Sequence, residues 1–186
     1  MKTYLENYLQ EHKKAIDSIP VDQVERIIHK FKETLDTDSQ IFVFGNGGSA
    51  ASASHFITDL GKGASDKLYR RFRCLSLNDN SAWITAIGND YSYDDIFSRQ
   101  LENYAKEGDL VLMMSVSGNS PNLIKASEFC NNNGIYSIAL TGKSGGKISE
   151  LADIVIKVDS THYGRVEDCH MHICHMISYA FIEGSI

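Results

Sequence analysis

The sequence predicts a doubly wound α/β fold: a five-stranded parallel sheet covered by helices on both faces, preceded by an N-terminal helical segment. Three observations carry this. Five short, β-rich apolar runs recur along the chain. Amphipathic stretches at helical spacing separate them. Three connections that would leave carboxyl ends of strands are rich in Gly, Ser, Asn and Asp. Continuous apolar runs, rather than strict alternation, mark strands buried on both faces.

Taken in order, residues 3–36 read as helix, with Tyr4, Tyr8, Ile16, Val24, Ile27, Ile28 and Phe31 at helical spacing. A break falls near "SIPVD", where Pro20 opens a second helix. The period then changes. "QIFVFG" (Gln40 to Gly45) reads as the first strand and "FRCLSLN" (Phe72 to Asn78) as the second. "DLVLMMSVSG" (Asp109 to Gly118), "YSIALTG" (Tyr136 to Gly142) and "DIVIKV" (Asp153 to Val158) follow. Helices are expected over 49–62, 81–88 with 94–104, 120–132, 145–151 and 163–183. Pro121 suits the first turn of its helix. The whole of 1–186 reads as one domain, with 1–38 helical and 39–186 forming the α/β core.

Composition narrows the function. Hydrophobic residues make up 42%, which argues against disorder. A net charge of -6 argues against nucleic-acid binding, and the one basic cluster, "KLYRRFR" (Lys67 to Arg73), reads as a solvated loop entering a strand. The N-terminal "MKTYLENYLQEHKK" is polar, with no signal-peptide core, and no run approaches the ~18 apolar residues of a membrane span. Cys74, Cys130, Cys169 and Cys174 form no C-x-x-C pair and read as free buried thiols. A cytoplasmic protein is expected.

In such folds ligands bind at the carboxyl ends of the strands. "GNGGSA", "NDNSAWITAIGNDYSYDD" and "SVSGNSPN" would lie there. Serine hydroxyls and backbone N–H groups at a helix start make an uncharged oxyanion cradle, although tight turns with Ser or Asn caps would use the same residues. No Gly-Lys-Ser/Thr marks a P-loop, and no acidic residue closes the second strand, which argues against NAD. His55 and Asp59, four apart, share a helix face. Glu167 and His175 lie near one stripe of the last helix, while His172 falls on another. His170 and His172 read as structural or surface residues. Histidine and carboxylate pairs on two helices suit a zinc ion or general acid–base work.

"GNGGSAASASHF", "SAWITAIGNDYSYDDIFSRQL", "SVSGNSPNLIKA", "ALTGKSGG" and "GRVEDCHMHICH" together resemble the sugar isomerase (SIS) domain family, and within it the phosphoheptose isomerases. The resemblance covers nearly the whole chain. It implies a flavodoxin-like sheet and a homotetramer with active sites between subunits. It implies substrate contacts from Asn46, Gly47, Gly48 and Ser49, and from Asn89 and Asp90. It implies a phosphate cradle of Ser115, Val116, Ser117 and Ser120, with Val116 replacing a threonine through its backbone.

The family's zinc site of His, Glu, Gln and His is matched by His55 and His175. Asp59 stands at the glutamate position and Glu167 at the glutamine position, which implies a metal set of His55, Asp59, Glu167 and His175. The family's arginine-bearing segment appears here as "GKGA" (Gly61 to Ala64), with Lys62 the possible substitute. The implied reaction converts sedoheptulose 7-phosphate to D-glycero-D-manno-heptose 7-phosphate through an enediol. Asp59 or Glu167 would be the base, with His175 the acid and zinc assisting. Two alternatives stand beside it: isomerisation of another phosphosugar, and a non-catalytic sugar-phosphate-binding role. The joint presence of His55, Asp59, Glu167 and His175 favours an enzyme.

Overall fold

The computed structural model describes residues 1–186. Helices α1 (Lys2–Asp17) and α2 (Val21–Asp36) are separated at Ser18 to Pro20, with Pro20 as the N-cap of α2. The break thus falls where proline cannot continue a helix. Helix α2 buries Val24, Ile27, Phe31 and Leu35, one apolar stripe. Helix α1 buries only Ala15.

The sheet comprises β1 (Gln40–Gly45), β2 (Arg73–Ser76), β3 (Leu110–Ser115), β4 (Tyr136–Thr141) and β5 (Ile154–Lys157). All pairs are parallel and the order is β2-β1-β3-β4-β5, the flavodoxin-like arrangement. Strand β3 is buried throughout, and β1 and β4 are buried after their first residue. Alternation across the pleat sends Ile41 and Val43 into one core with Phe31, Phe56 and Ile173. It sends Phe42 and Phe44 into the other with Phe97, Leu101 and Leu123. Helices α3 (Gly48–Thr58) and α7 (Tyr163–Ile182) contribute to the first core. Helices α4 (Ser81–Asp90), α5 (Ser98–Tyr104) and α6 (Pro121–Asn132) pack toward the second.

Several elements differ from the sequence reading: the helix read over 94–104 begins only at Ser98, after a 3-10 turn, the strand read over 109–118 ends at Ser115, and three further differences show their cause. The helix expected over 49–62 is α-helical only to Thr58, and Asp59–Ala64 continues as a π-helix. The buried Ser65 hydroxyl fixes this wider turn, donating to Leu60 O at 3.0 Å and accepting from Phe72 N at 2.9 Å. The second strand is shorter than 72–78. Beyond it the Asn78 side chain replaces the ladder, accepting from Gly45 N at 3.1 Å and donating to Gly45 O at 2.9 Å. The helix expected over 145–151 is reduced to a 3-10 turn, Lys147–Glu150. Gly145 and Gly146 have φ of 72° and 59°, incompatible with an α-helix. They adopt it to pack against the serine loop, where a Cβ on Gly118 would lie 1.9 Å from Gly145 O.

Candidate active site

The carboxyl ends of β1 and β3 open into a cavity of about 90 Å³. Asn46, Ser49, Ser115, Val116, Ser117 and Ser120 line it, as the sequence suggested, joined by Met114, Tyr163 and Glu167. Two helices, α3 and α6, begin at its rim. Gly47, with φ of 57°, makes the turn into α3. The hydroxyls of Ser115 and Ser117 brace their own loop, accepting from Gly118 N at 3.1 Å and Asn119 N at 3.2 Å. No lysine or arginine lines the cavity. An anion held here is met by hydroxyls and backbone N–H groups at helix starts, which suit a phosphate, with Glu167 the one acidic residue in the lining.

Gly48 leaves room for a side chain from across the fold. A Cβ there would lie 2.8 Å from Glu167 Oε1, so the Glu167 carboxylate sits over the first turn of α3. Asn89 and Asp90 are exposed at the end of α4, where Asn89 Nδ2 donates to Asp90 Oδ1 at 2.9 Å, outside the lining of this cavity.

A second group forms farther along the same two helices. Asp59 Oδ2 lies 3.4 Å from His55 Nε2 and 3.5 Å from His175 Nε2. The two imidazoles meet edge to face, with centroids 5.2 Å apart. Asp59 Oδ2 is buried and has no hydrogen-bond partner. Such an orphaned oxygen between two ring nitrogens fits a cation. Zinc bonds nitrogen and oxygen ligands at roughly 2.0–2.1 Å, so adjacent ligands of a tetrahedral ion stand about 3.3 Å apart. Both observed separations match. Three protein ligands leave a fourth position for a water or substrate oxygen.

Glu167 is not in this group. It precedes His175 by eight residues, about 12 Å along α7 at 1.5 Å per residue. Helices α3 and α7 run in the same sense, so Gly48 meets Glu167 at one end and Asp59 meets His175 nearer the other. The serine cradle and the His-Asp-His group are thus two ends of one arrangement.

The neighbouring cysteines, histidines and Lys62 have surroundings of their own. Burial, reinforced by the charge of Asp59, pushes the Cys174 thiol up. Burial also raises Cys74 and Cys169 to about 11 and Cys130 to about 12. None is a thiolate at neutral pH. Burial pushes the His170 imidazole down to about 4, and exposed His172 has Nδ1 2.8 Å from Asp168 O. Lys62 sits on the π-helix, paired with Asp66 at 3.5 Å. Sequence reasoning missed Tyr163 and the Gly145–Gly146 brace, because both reach the site through chain-distant packing.

No helix is long and apolar enough to cross a membrane. The SIS domain family profile matches residues 3–142. A Thermoplasma volcanium protein named "Probable phosphoheptose isomerase" is 40% identical over 93% of this chain and 88% of its own. The phosphoheptose isomerase of Aneurinibacillus thermoaerophilus is 37% identical over 100% of this chain and 96% of its own. The solved phosphoheptose isomerase of Neisseria gonorrhoeae superposes with a TM-score of 0.90 at 28% identity, covering 100% of this chain and 99% of that one. A phosphate-fitting cradle, a histidine–carboxylate group and relatives of matching length converge: this chain belongs to the SIS domain family and is a phosphosugar isomerase of the phosphoheptose isomerase type.

Proposed function

We propose that the chain interconverts sedoheptulose 7-phosphate and D-glycero-D-manno-heptose 7-phosphate. The observation that carries this reading is the two-ended arrangement along α3 and α7, with serine hydroxyls and helix-start N–H groups beside Glu167 at one end and Asp59 between two histidines at the other.

Asn46, Gly47, Gly48, Ser49, Ser115, Val116, Ser117 and Ser120 hold the phosphate end and orient the carbon chain. Asn89 and Asp90 are assigned substrate contacts in an assembled tetramer. At the reacting end Asp59 moves a proton between C1 and C2. His175, 3.5 Å from Asp59 Oδ2, protonates the carbonyl oxygen where its Nε2 carries a proton, and helps polarise that oxygen where Nε2 would instead hold zinc. His55, Asp59 and His175 would hold zinc, and Glu167, in the cavity lining, lies outside this group. Zinc, when bound, supplies Lewis-acid polarisation of the carbonyl.

The homotetramer is proposed with the site; exposed Tyr4, Leu5 and Leu9 on α1 offer an apolar face for a second copy. Four free thiols favour a reducing cytoplasm. The test is to incubate the protein with zinc and sedoheptulose 7-phosphate and follow aldose formation. No turnover, with Asp59→Ala and Glu167→Ala behaving like the parent, would overturn the assignment.

One observation favours a different phosphosugar: the Glu167 carboxylate, an acceptor only, lies inside the cavity. A screen of ketose phosphates of five to seven carbons, read with metal analysis of the same sample, separates the two readings.

A further inference from the structure

Asn46 does not stand alone at the cavity. Its Nδ2 donates to Asn122 Oδ1 at 3.0 Å, and its Oδ1 accepts from Asn122 Nδ2 at 2.8 Å. Tyr93 Oη donates to the same Asn46 Oδ1 at 3.1 Å. Asn46 follows β1, Asn122 lies in the first turn of α6 after β3, and Tyr93 lies in a 3-10 turn after α4. Strands β1 and β3 are neighbours at the point where the strand order reverses, so the amide pair spans the crevice where such folds take ligands. Asn122 is 1% exposed. The turn carrying Tyr93 is fastened to α6 by Lys125 Nζ to Asp95 Oδ1 at 2.9 Å.

A count of donors and acceptors decides what Asn46 can offer. An amide oxygen has two lone pairs and its nitrogen two hydrogens. Tyr93 and Asn122 occupy both lone pairs of Asn46 Oδ1. Asn122 takes one of the two hydrogens on Nδ2. One N–H remains, on a residue that lines the cavity. Leu123 N donates to Asn122 Oδ1 at 3.1 Å and so fixes the Asn122 amide; against it, a half-turn of Asn46 would set NH₂ against NH₂ and oxygen against oxygen, which locks the Asn46 orientation.

We infer that Asn122 and Tyr93 are positioning residues that lock the Asn46 side chain as a hydrogen-bond donor toward a phosphosugar oxygen. This rests on the reading of the cavity as the phosphosugar site. Neither residue needs to touch the substrate.

The test is a binding cycle on the full chain, with sedoheptulose 7-phosphate and inorganic phosphate as calorimetric probes. Asn46→Ala should weaken sugar-phosphate binding about five- to tenfold, the worth of one hydrogen bond. Tyr93→Phe, which deletes one exposed hydroxyl, should weaken it about threefold or more with an unchanged unfolding midpoint. Asn122→Asp should weaken it further, because a carboxylate cannot donate to Asn46 Oδ1. In an Asn46→Ala background, Tyr93→Phe should have no further effect. A Tyr93→Phe loss of equal size in both backgrounds overturns the positioning role. So does no loss from Tyr93→Phe or Asn122→Asp while Asn46→Ala weakens binding. Unchanged binding by Asn46→Ala overturns the donor role of Asn46 and the positioning role with it, whereas no binding of either probe by the parent chain overturns the reading of the cavity itself.

Discussion

Asp59 Oδ2 lies 3.5 Å from His175 Nε2, joining the start of the π-helix that follows α3 to the middle of α7. The same oxygen lies 3.4 Å from His55 Nε2 and accepts no hydrogen bond. A buried carboxylate oxygen left in this state is costly unless something else meets it. That makes Asp59 the most constrained of the proposed reacting groups and the natural place to test the chemistry.

Asp59→Ala should lower kcat about 10²- to 10⁴-fold, the usual loss on removing a general base. KM should change little, because the serine cradle is untouched. Glu167→Gln should do the reverse, keeping kcat within about tenfold and altering KM, since Glu167 sits over Gly48 in the cavity. Steady-state kinetics on the two variants checks this, and swapped effects would assign the base to Glu167.

Zinc should stabilise the folded chain by mass action. At a free concentration of 100 Kd the gain is about 2.7 kcal/mol for one site. Chelation should therefore lower both turnover and the unfolding midpoint, and added zinc should restore them. His55→Ala should abolish the zinc-dependent shift, which thermal melts can follow without any substrate.

The two glycine loops should differ in their tolerance of a side chain. At Gly47, φ is 57° and no atom lies within 4 Å of a Cβ, so Gly47→Ala meets only backbone strain of roughly 1–3 kcal/mol. At Gly118, φ is 65° and the Cβ would lie 1.9 Å from Gly145 O. Gly118→Ala should cost more, by adding a backbone clash to the same strain. Urea midpoints of the two variants give the comparison.

Stability should rise with pH through the titration of His170. Its folded value is about 4 against an ordinary 6.5, because burial disfavours the imidazolium. Between these values the unfolded chain binds a proton that the folded chain does not, so stability falls as pH drops below about 6.5. Above it the two states are equally neutral and the slope vanishes. The full effect is up to about 3 kcal/mol, and His170→Leu should remove this part of the slope in denaturant titrations at pH 4 to 7.

The amino-acid sequence by itself determined the layered α/β architecture and the serine cradle, because both are written in local signals. Runs such as "QIFVFG" and "DLVLMMS" are apolar without alternation, as strands buried on two faces must be. Gly47 and Ser120 sit where turns meet helix starts. Local signals also paired His55 with Asp59, four residues apart on one helix. They placed Glu167 and His175 near one stripe but did not say which would meet Asp59. Only the tertiary structure decided that. The axial offset of α3 against α7 is set by packing of buried residues such as Phe56, Val166, Ile173 and Cys174. That packing lays Glu167 over Gly48 and brings His175 to Asp59. The same holds for Asn46, Asn122 and Tyr93, which meet because sheet order makes β1 and β3 neighbours. Contacts between chain-distant residues depend on how whole elements dock, and no spacing along one element encodes it.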